Sequence, residues 1–370
     1  MSSADVTWRS PAAEYVPELD GLRTLAIIAV FGIHLSVLGG GFIGVGVFFC
    51  ISGYLIGSLL LGEKSATGSV GLRSFYLRRM ARLYPALIVA MLVVAAPVYV
   101  LRAPGDSLPV LFAAVLSLTY SANLFSSVSG IWLFAMNPTW TLAQEEQFYL
   151  LAPWLIRRGR RPRFRRTARL LAMAAVCVVS GRFVASLLIP QAYRFIYENP
   201  ILNLDGMLLG LALAFAAAGA GVPGWLRGFA KSRVGAVLAL LAVLLVTVFS
   251  TDIGWRWSAG LTVASAATVV LIIHVSTADS ILSKVLRSLP ARWIGQRSYG
   301  LYLFHYPLVL LVRANEPTPP LEHAARAVLA VTLTLVLAVA SERWLETPVR
   351  RWVRSRPAIK SRVTAPIAIR

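Results

Sequence analysis

The sequence predicts an all-α fold: a polytopic integral membrane bundle of about ten transmembrane helices, with one additional short or re-entrant segment. Three observations predict it. Of the 370 residues, 57% are hydrophobic and 14% are charged, whereas about 25% are charged in a typical soluble domain. Apolar runs of roughly 20 residues, the length that crosses a bilayer, follow one another along the chain. Lysine and arginine concentrate in a few of the loops between these runs, as is typical of cytoplasmic loops.

Eleven apolar runs of spanning length occur in chain order: residues 20–38, 42–62, 82–101, 108–125, 140–156, 167–189, 199–218, 234–250, 257–275, 297–314 and 324–345. Each is long enough to form a membrane helix. Most loops between them are short, so no sizeable soluble domain fits. We therefore expect a cytoplasmic N-terminal segment at 1–18, one membrane domain at 19–352 and a basic cytoplasmic tail at 353–370.

The charges of the loops predict the topology. Five strongly basic segments are expected on the cytoplasmic side: 63–82, 157–169, 219–233, 276–297 and the chain after residue 343. Five loops with almost no lysine or arginine are expected outside: 39–41, 126–139, 190–198, 251–256 and 315–323. Both termini are then cytoplasmic, in a multi-pass protein of the inner, cytoplasmic membrane of the cell.

One apolar run does not cross in this topology. Three runs lie between the basic loops 63–82 and 157–169, yet a chain that returns to the same side crosses an even number of times. The run at 108–125 and the run at 140–156, which carries glutamates, are the two candidates for a re-entrant or buried segment. The predicted number of spans is therefore ten.

The net charge of +20 comes from 36 lysines and arginines against 16 acidic residues. In a soluble protein this balance would raise the question of a nucleic-acid partner. Here the basic residues border apolar runs, where they satisfy the positive-inside bias and attract anionic lipid headgroups. The expected partner is the lipid bilayer, not nucleic acid.

Helix 1 contains the first pair of candidate site residues. Arg23 lies near its cytoplasmic boundary, and His34 lies eleven residues later, about 16 Å deeper at 1.5 Å per residue. An ionisable group near mid-membrane is a functional-site hypothesis, because burial without a role costs free energy. The alternative is a histidine that only hydrogen-bonds neighbouring helices.

Two further ionisable sites reach a similar depth from the same side. Glu145 and Glu146 lie about 16–18 Å from the basic loop that begins at Arg157, if the segment is helical. His305 lies eight residues beyond Arg297, roughly 12 Å into the membrane. Convergence on one cavity is the simplest interpretation, and three unrelated polar helix contacts are the alternative.

Arg78, Arg79 and Arg82 lie at the predicted cytoplasmic face, before the third run. Arg79 and Arg82 are three residues apart and share one helix face, which suits bidentate binding of phosphate groups. The positive-inside bias would also explain these arginines. Asp205 lies nearer the outer face, where it could bind a hydroxyl group or pair with Arg182 or Arg194. With four histidines at unsuitable spacings and two separate cysteines, the sequence offers no metal ligand set.

Six stretches resemble, in the same order, the acyltransferase-3 family of membrane acyltransferases. They are ELDGLRTLAIIAVFGIH, GGGFIGVGVFFCISGYLI, FYLRRMARLYPAL, PTWTLAQEEQFYLLAP, SYGLYLFHYPL and ERWLETPVRRW. They extend from residue 18 to about 352. The family includes bacterial O-antigen and exopolysaccharide acetylases and macrolide acylases. The resemblance implies transfer of a short acyl group, acetyl or similar, from acyl-CoA to a hydroxyl group, usually on a sugar of a polysaccharide or of a small molecule such as a macrolide.

Residue roles follow from the same resemblance. Arg23 and His34 match the arginine and histidine of the first family motif, and Arg79 and Arg82 match its R-x-x-R. The family's W-S-L-x-x-E is matched from Trp140 to Glu145. The expected catalytic residues are His34, Arg23 and Glu145; the expected acyl-CoA site is Arg78, Arg79 and Arg82; and the expected substrate-binding residues are His305, Tyr302, Ser298, Asp205 and Trp140.

The mechanistic hypothesis is that neutral His34 acts as general base on the acceptor hydroxyl, with Arg23 or Glu145 orienting it. No permanently bound cofactor is expected, because acyl-CoA is a substrate. Two other functions stay open. Buried charges also mark the path of a transporter or flippase for a glycan or lipid-linked sugar, and a non-catalytic membrane protein descended from the enzymes is the third possibility.

Overall fold

The structure, a computed structural model, describes residues 14–103, 107–159, 163–219, 221–249 and 255–356. Every regular element in these ranges is a helix, which confirms the all-α class. The predicted N-terminal segment before residue 14 and the basic tail after residue 356 lie outside the described residues.

Sixteen helices, labelled here in chain order, make up the described chain. The first eight are α1 (Pro17–His34), α2 (Ile43–Thr67), α3 (Leu72–Arg102), α4 (Val110–Leu118), α5 (Ala122–Ser129), α6 (Thr139–Arg158), α7 (Phe164–Leu188) and α8 (Tyr193–Glu198). The other eight are α9 (Asp205–Ala218), α10 (Gly224–Lys231), α11 (Arg233–Phe249), α12 (Trp255–Thr277), α13 (Ile281–Leu286), α14 (Leu289–Gln296), α15 (Ser298–Leu311) and α16 (Pro320–Arg354). Helices α3 and α16 contain π-helical turns at Ala90–Ala95 and Glu342–Glu346.

Helix α1 runs between the two ends of the bundle. It begins at Pro17, whose fixed φ and missing N–H suit a first helical turn. Its first turns contact the basic segment of the chain, because Arg287 lies 3.9 Å from Glu18. We call this the basic end. His34 is the last residue of α1, so it lies at the end of this helix that is farther from the basic end.

Helix α2 is the central helix, and it packs against α9 with backbones in close approach. Gly210 of α9 lies against the backbone of Cys50, where a Cβ atom would stand 2.0 Å from the Cys50 carbonyl oxygen. Gly53 of α2 is equally close to the carbonyl oxygen of Met207. Small residues allow such approach between membrane helices. The glycine-rich start of the second apolar run therefore has a packing role.

The apolar run at 108–125 does not form one helix. It divides into α4 and α5 at residues 119–121, where Tyr120 has a φ of +53°. Helices of nine and eight residues extend about 13 Å, well short of the roughly 30 Å hydrocarbon core. The run at 140–156 lies within the 20-residue helix α6. Of the two candidates for the short segment, 108–125 is therefore the one that is too short to span.

The expected number of about ten spans is not confirmed. Among the residues that the structure describes, five helices are long and apolar enough to cross a membrane: α2, α3, α7, the part of α12 at Ser258–Thr277, and α16. The bent pair α10–α11, with an angle of 81°, would make a sixth. Helices α1 and α6 carry the charged residues of the site, and α9 has only 14 residues, so these helices do not meet the same criterion.

Candidate active site

A cavity of about 230 Å³ opens at the basic end between α1, α2, α3, α6 and α16. We call it the basic cavity. Six arginines line it: Arg23, Arg78, Arg79, Arg82, Arg350 and Arg354. The sequence predicted four of them as site residues, and α16 adds the other two.

The six arginines differ in what they contact. Arg79 is mostly buried: its Nε donates a hydrogen bond of 2.7 Å to Glu146 Oε1, and its Nη2 lies 4.0 Å from Glu145 Oε2. Its guanidinium also stacks over the Tyr149 ring at 3.5 Å. Arg78 lies 3.6 Å from Glu63. The charges of these two arginines are thus largely matched by carboxylates of the protein itself.

Arg23, Arg82 and Arg350 are in a different situation. No carboxylate in the described part of the chain lies within 4 Å of their guanidinium groups. Arg82 experiences the positive charges of Arg23, Arg79 and Arg350, which the more distant Glu346 carboxylate offsets only in part. Like charges gathered beside a cavity repel one another unless an anion lies between them. The basic cavity is therefore suited to an anionic group, and these three arginines are the ones available to bind it.

Tyr15 and Asp20 lie in the lining of the same cavity. The Tyr15 hydroxyl donates to Asp20 Oδ2 and accepts a hydrogen bond of 2.8 Å from Gln296 Nε2. Burial, and then the neighbouring Asp20 carboxylate, raise the pKa of Tyr15 above its usual value of 10. Tyr15 therefore stays a neutral donor that links the segment before α1 to α14.

A second cavity of about 50 Å³ lies deeper between α1, α2, α6 and α15. We call it the middle cavity. Arg23, Glu145 and Tyr299 line both cavities. Glu145 accepts a hydrogen bond of 2.7 Å from the Ser52 hydroxyl. The two cavities therefore adjoin at Arg23 and Glu145, two of the three predicted catalytic residues.

Ser298 and Tyr302 of α15, two of the predicted substrate-binding residues, also line the middle cavity. The Thr141 hydroxyl donates a hydrogen bond of 2.8 Å to the Tyr302 hydroxyl, which in turn donates to the Pro138 carbonyl at 3.1 Å. The hydroxyl of Ser298 is buried and has no hydrogen-bond partner in the part of the chain that the structure describes.

His34 and His305 form a pair one helical turn beyond Tyr302. His305 Nε2 lies 3.3 Å from His34 Nδ1, and the ring centroids are 4.9 Å apart. His34 Nδ1 also lies 2.8 Å from the Val30 carbonyl oxygen, and His305 Nδ1 lies 2.7 Å from the Tyr302 carbonyl oxygen. A carbonyl only accepts, so both Nδ1 atoms carry the proton in neutral rings. This tautomer leaves Nε2 of His34 unprotonated and basic.

The predicted convergence is partial. Arg23 and Glu145 lie together at the junction of the two cavities, whereas His34 contacts His305 and Val30. Within the described chain, neither Arg23 nor Glu145 is a hydrogen-bond partner of His34. Tyr302 connects the two groups, because it lines the middle cavity and its carbonyl group contacts His305.

Asp205 and Trp140 lie elsewhere, beside a third cavity of about 10 Å³. We call it the far cavity. Asp205 accepts hydrogen bonds of 2.6 and 3.1 Å from Arg182, and both side chains are buried. This is one of the pairings that the sequence allowed. Such a pair binds the helices α7 and α9 together, so its charge is already compensated.

These cavities and the histidine pair involve all six stretches that carried the resemblance. A family model described as an acyltransferase domain, acyltransferase-3, matches residues 16–343. The chain belongs to the acyltransferase-3 family. Within this acyltransferase-3 domain, the first motif supplies Arg23 in the first half of α1 and His34 at its end. The R-x-x-R motif supplies Arg79, which is paired with Glu146, and Arg82, which has no carboxylate within 4 Å among the described residues.

Two curated relatives of the acyltransferase-3 chain are similar over 91% of its length. It is 34% identical to the peptidoglycan O-acetyltransferase OatA of Listeria monocytogenes and 31% identical to the O-acetyltransferase OatA of Staphylococcus aureus. The chain spans 56% and 57% of the length of these two proteins. No solved structure matches it.

Sequence reasoning about this acyltransferase-3 domain missed Ser52, Tyr299 and Arg350. Ser52 and Tyr299 lie inside motifs that the sequence analysis did quote, but their residue types gave no signal of their own. Arg350 belongs to a run of C-terminal basic residues, where the positive-inside bias accounts for every arginine equally well. Only the fold shows that α16 brings it to the basic cavity.

Proposed function

We propose that this chain transfers a short acyl group from acyl-CoA to a hydroxyl group, most simply acetyl to a sugar. The observation that carries the proposal is the basic cavity lined by Arg23, Arg82 and Arg350, which have no carboxylate within 4 Å among the described residues. This cavity adjoins the middle cavity, whose lining residue Tyr302 contacts His305 of the histidine pair. The family of the chain and the O-acetyltransferase names of its relatives support the reaction class.

The basic cavity would bind the phosphate groups of the donor. Arg23, Arg82 and Arg350 offer planar guanidinium groups, which form bidentate hydrogen bonds with phosphate oxygens. Arg79 has a different role in this scheme, because it holds Glu145 and Glu146 in place. The proposed phosphate-binding set therefore changes from Arg78, Arg79 and Arg82 to Arg23, Arg82 and Arg350, the three arginines that have no carboxylate within 4 Å among the described residues.

The pantetheine arm would extend from the basic cavity into the middle cavity, past Arg23 and Glu145. The thioester would then lie beside Tyr302, one helical turn from His305. In the structure Tyr302 stands between this position and the histidine pair, and its hydroxyl is bonded to Thr141 and Pro138. Transfer therefore requires the Tyr302 side chain to turn aside.

His34 would act as the general base. Its Nε2 accepts the proton of the acceptor hydroxyl, whose oxygen attacks the thioester carbonyl. A C–O bond forms, the C–S bond breaks, and the proton passes from His34 to the departing sulfur to give free CoA. The sequence analysis expected Arg23 or Glu145 to orient His34. In this mechanism His305 and the Val30 carbonyl group orient it instead.

The acceptor would approach from the end of the bundle opposite the basic end, because His34 is the last residue of α1. With the basic loops in the cytoplasm, that end faces outside the inner membrane. A hydroxyl of an envelope glycan suits this position, as in the relatives named for peptidoglycan. A glycosylated small molecule such as a macrolide is the other acceptor class.

The test is transfer of radiolabelled acetyl from acetyl-CoA to glycan and small-molecule fractions in membranes that contain the protein. The wild type should label one fraction, and His34→Ala should lower the rate by about 10²–10⁴-fold, the usual contribution of a general base. His323→Ala is the matched control, because His323 lines none of the three cavities. Labelling that survives His34→Ala would refute the assigned base. Absence of label with acetyl-, propionyl- and longer acyl-CoAs would favour a glycan transporter or flippase.

A further inference from the structure

The lining of the middle cavity is polar at one end and apolar at the other. At the junction with the basic cavity it is polar, with Arg23, Glu145 and Ser298. Away from the junction it is apolar, with Val45, Phe48 and Phe49 of α2 among its walls; the last two rings pack against Tyr302 and Trp140. Such a site fits a molecule with a polar stem and a short apolar tip.

The Ser298 hydroxyl is a polar group of this lining whose hydrogen bond is not satisfied. The residue is only 2% exposed, and its Oγ atom has no hydrogen-bond partner among the described residues. A buried hydroxyl without a partner costs free energy, and a hydrogen bond with a ligand in the cavity would remove that cost. Ser298 is also the first residue of the 14-residue helix α15, so N–H groups of its first turn lack intrahelical acceptors. An oxygen atom of the donor's polar stem, such as an amide carbonyl of the pantetheine arm, is the group that such donors bind.

We propose that the middle cavity holds the acyl group of the donor and limits its length, with Phe49 and Val45 as the end wall. The proposal rests on the proposed function, since it takes acyl-CoA as the donor. A cavity of about 50 Å³ is far smaller than the roughly 150 Å³ that admits benzene. It accommodates an acetyl or propionyl group and excludes a medium-length chain.

The end wall separates two cavities. Val45 and Phe49 line both the middle cavity and the far cavity, and the Phe49 ring meets Trp140 with centroids 6.4 Å apart. Shortening the side chain of Phe49 would join the two spaces and lengthen the pocket toward Trp140. Substitution at this residue should therefore admit longer acyl chains without altering the phosphate-binding arginines.

The experiment compares kcat/KM of the purified full chain for acetyl-, butyryl- and hexanoyl-CoA. In Phe49→Ala the hexanoyl-to-acetyl ratio should rise at least about tenfold, since each methylene in a fitted pocket is worth about 10–200-fold. Because Phe49 is buried, Phe49→Leu and Val45→Ala provide milder variants, which should shift the butyryl-to-acetyl ratio in the same direction. Phe215→Leu is the matched control, a buried phenylalanine outside the three cavities.

Ser298→Ala supplies a second measurement. It should lower kcat/KM for all three donors by a similar factor and leave their ratios unchanged, because the hydroxyl is assigned to the polar stem that they share. Unchanged ratios in all three wall variants, with acetyl transfer retained, would overturn the proposal and leave the proposed function standing. Failure of the wild type with every acyl-CoA would instead overturn the proposed function.

Discussion

Neighbouring arginines of one motif have different environments in this protein. Arg79 and Arg82 lie on one face of α3, but Arg79 is bonded to Glu146 and stacked on Tyr149, whereas Arg82 has no carboxylate partner within 4 Å among the described residues. The first arrangement stabilises the fold and the second leaves a cation available to a ligand. Substitution of Arg79 should therefore lower stability, whereas substitution of Arg82 should weaken donor binding.

Arg79→Ala should destabilise the protein by about 3–5 kcal/mol, because it leaves buried carboxylates without their counter-charge. Arg82→Ala should change stability little, because it removes repulsion from Arg23, Arg79 and Arg350 together with attraction to Glu346. It should raise KM for acetyl-CoA by roughly 10–100-fold, the value of a lost charged hydrogen bond. Thermal unfolding in detergent and steady-state kinetics measure the two effects.

Arg73→Ala is the matched control for both variants, because Arg73 lies on the same helix and is exposed. It should alter neither stability nor KM. A normal KM for acetyl-CoA in Arg82→Ala, or a fully stable Arg79→Ala, would contradict the division of roles between the two arginines.

The motifs singled out residues that the fold brings together, but they did not predict how those residues pair. Arg23, Glu145, Ser298 and Tyr302 all line the middle cavity. The partner of His34 depends on where α1 and α15 cross, and no residue spacing within either helix contains that information. Tertiary contacts of this kind therefore had to come from the fold.

At the scale of helices, a close contact between α2 and α9 holds the wall of the site in place. Gly210→Ala should destabilise the protein by about 1–3 kcal/mol or more, because the added Cβ would overlap the Cys50 carbonyl group and push the helices apart. The measurement is the thermal unfolding midpoint in detergent.

Gly228→Ala provides the control for helix propensity. Gly228 lies in helix α10, and an added Cβ there would meet no atom within 4 Å. Alanine is favoured over glycine inside a helix by about 1 kcal/mol, so this variant should be neutral or slightly more stable. Equal stability of the Gly210 and Gly228 variants would show that α2 and α9 are not closely packed.

The sequence predicted one short segment, because three apolar runs lie between two loops expected on the same side of the membrane. It did not show whether that segment is 108–125 or 140–156. The fold distinguishes them through local interactions. The turn at 119–121 is held by a hydrogen bond from Gln147 to the Tyr120 carbonyl, and Asn123 donates to Gln144 and Gln147. These contacts satisfy polar groups of the helix break inside the protein, where apolar composition alone would favour one continuous helix.

For the whole molecule, the important feature is the separation of two sites along α1. Arg23 borders the basic cavity, and His34 lies eleven residues farther on, about 16 Å away. Apolar side chains on the outside of the bundle are consistent with surrounding lipid. In the apolar part of α7, for example, only 22% of the residues are buried inside the protein. The orientation of the bundle in the bilayer then decides from which side each substrate arrives.

The orientation can be measured with single cysteines placed at the two ends. In a background of Cys50→Ser and Cys177→Ala, we expect Ser129→Cys to react with a membrane-impermeant maleimide in intact cells. Ser355→Cys should react only after permeabilisation, because α16 ends among basic residues that belong in the cytoplasm. Both serines are exposed in the structure, so a lack of reaction reports the side of the membrane and not burial.

The result bears directly on the donor, because acyl-CoA is available in the cytoplasm and the arginines that would bind it line the basic end. If only Ser129→Cys is labelled in intact cells, the end of the bundle with Arg82 and Arg350 faces the cytoplasm and the end with His34 faces the outside. The acyl group would then be passed from an inner donor to an acceptor at the outer end. Labelling of Ser355→Cys in intact cells would place the basic cavity outside, and the proposed donor could not reach it.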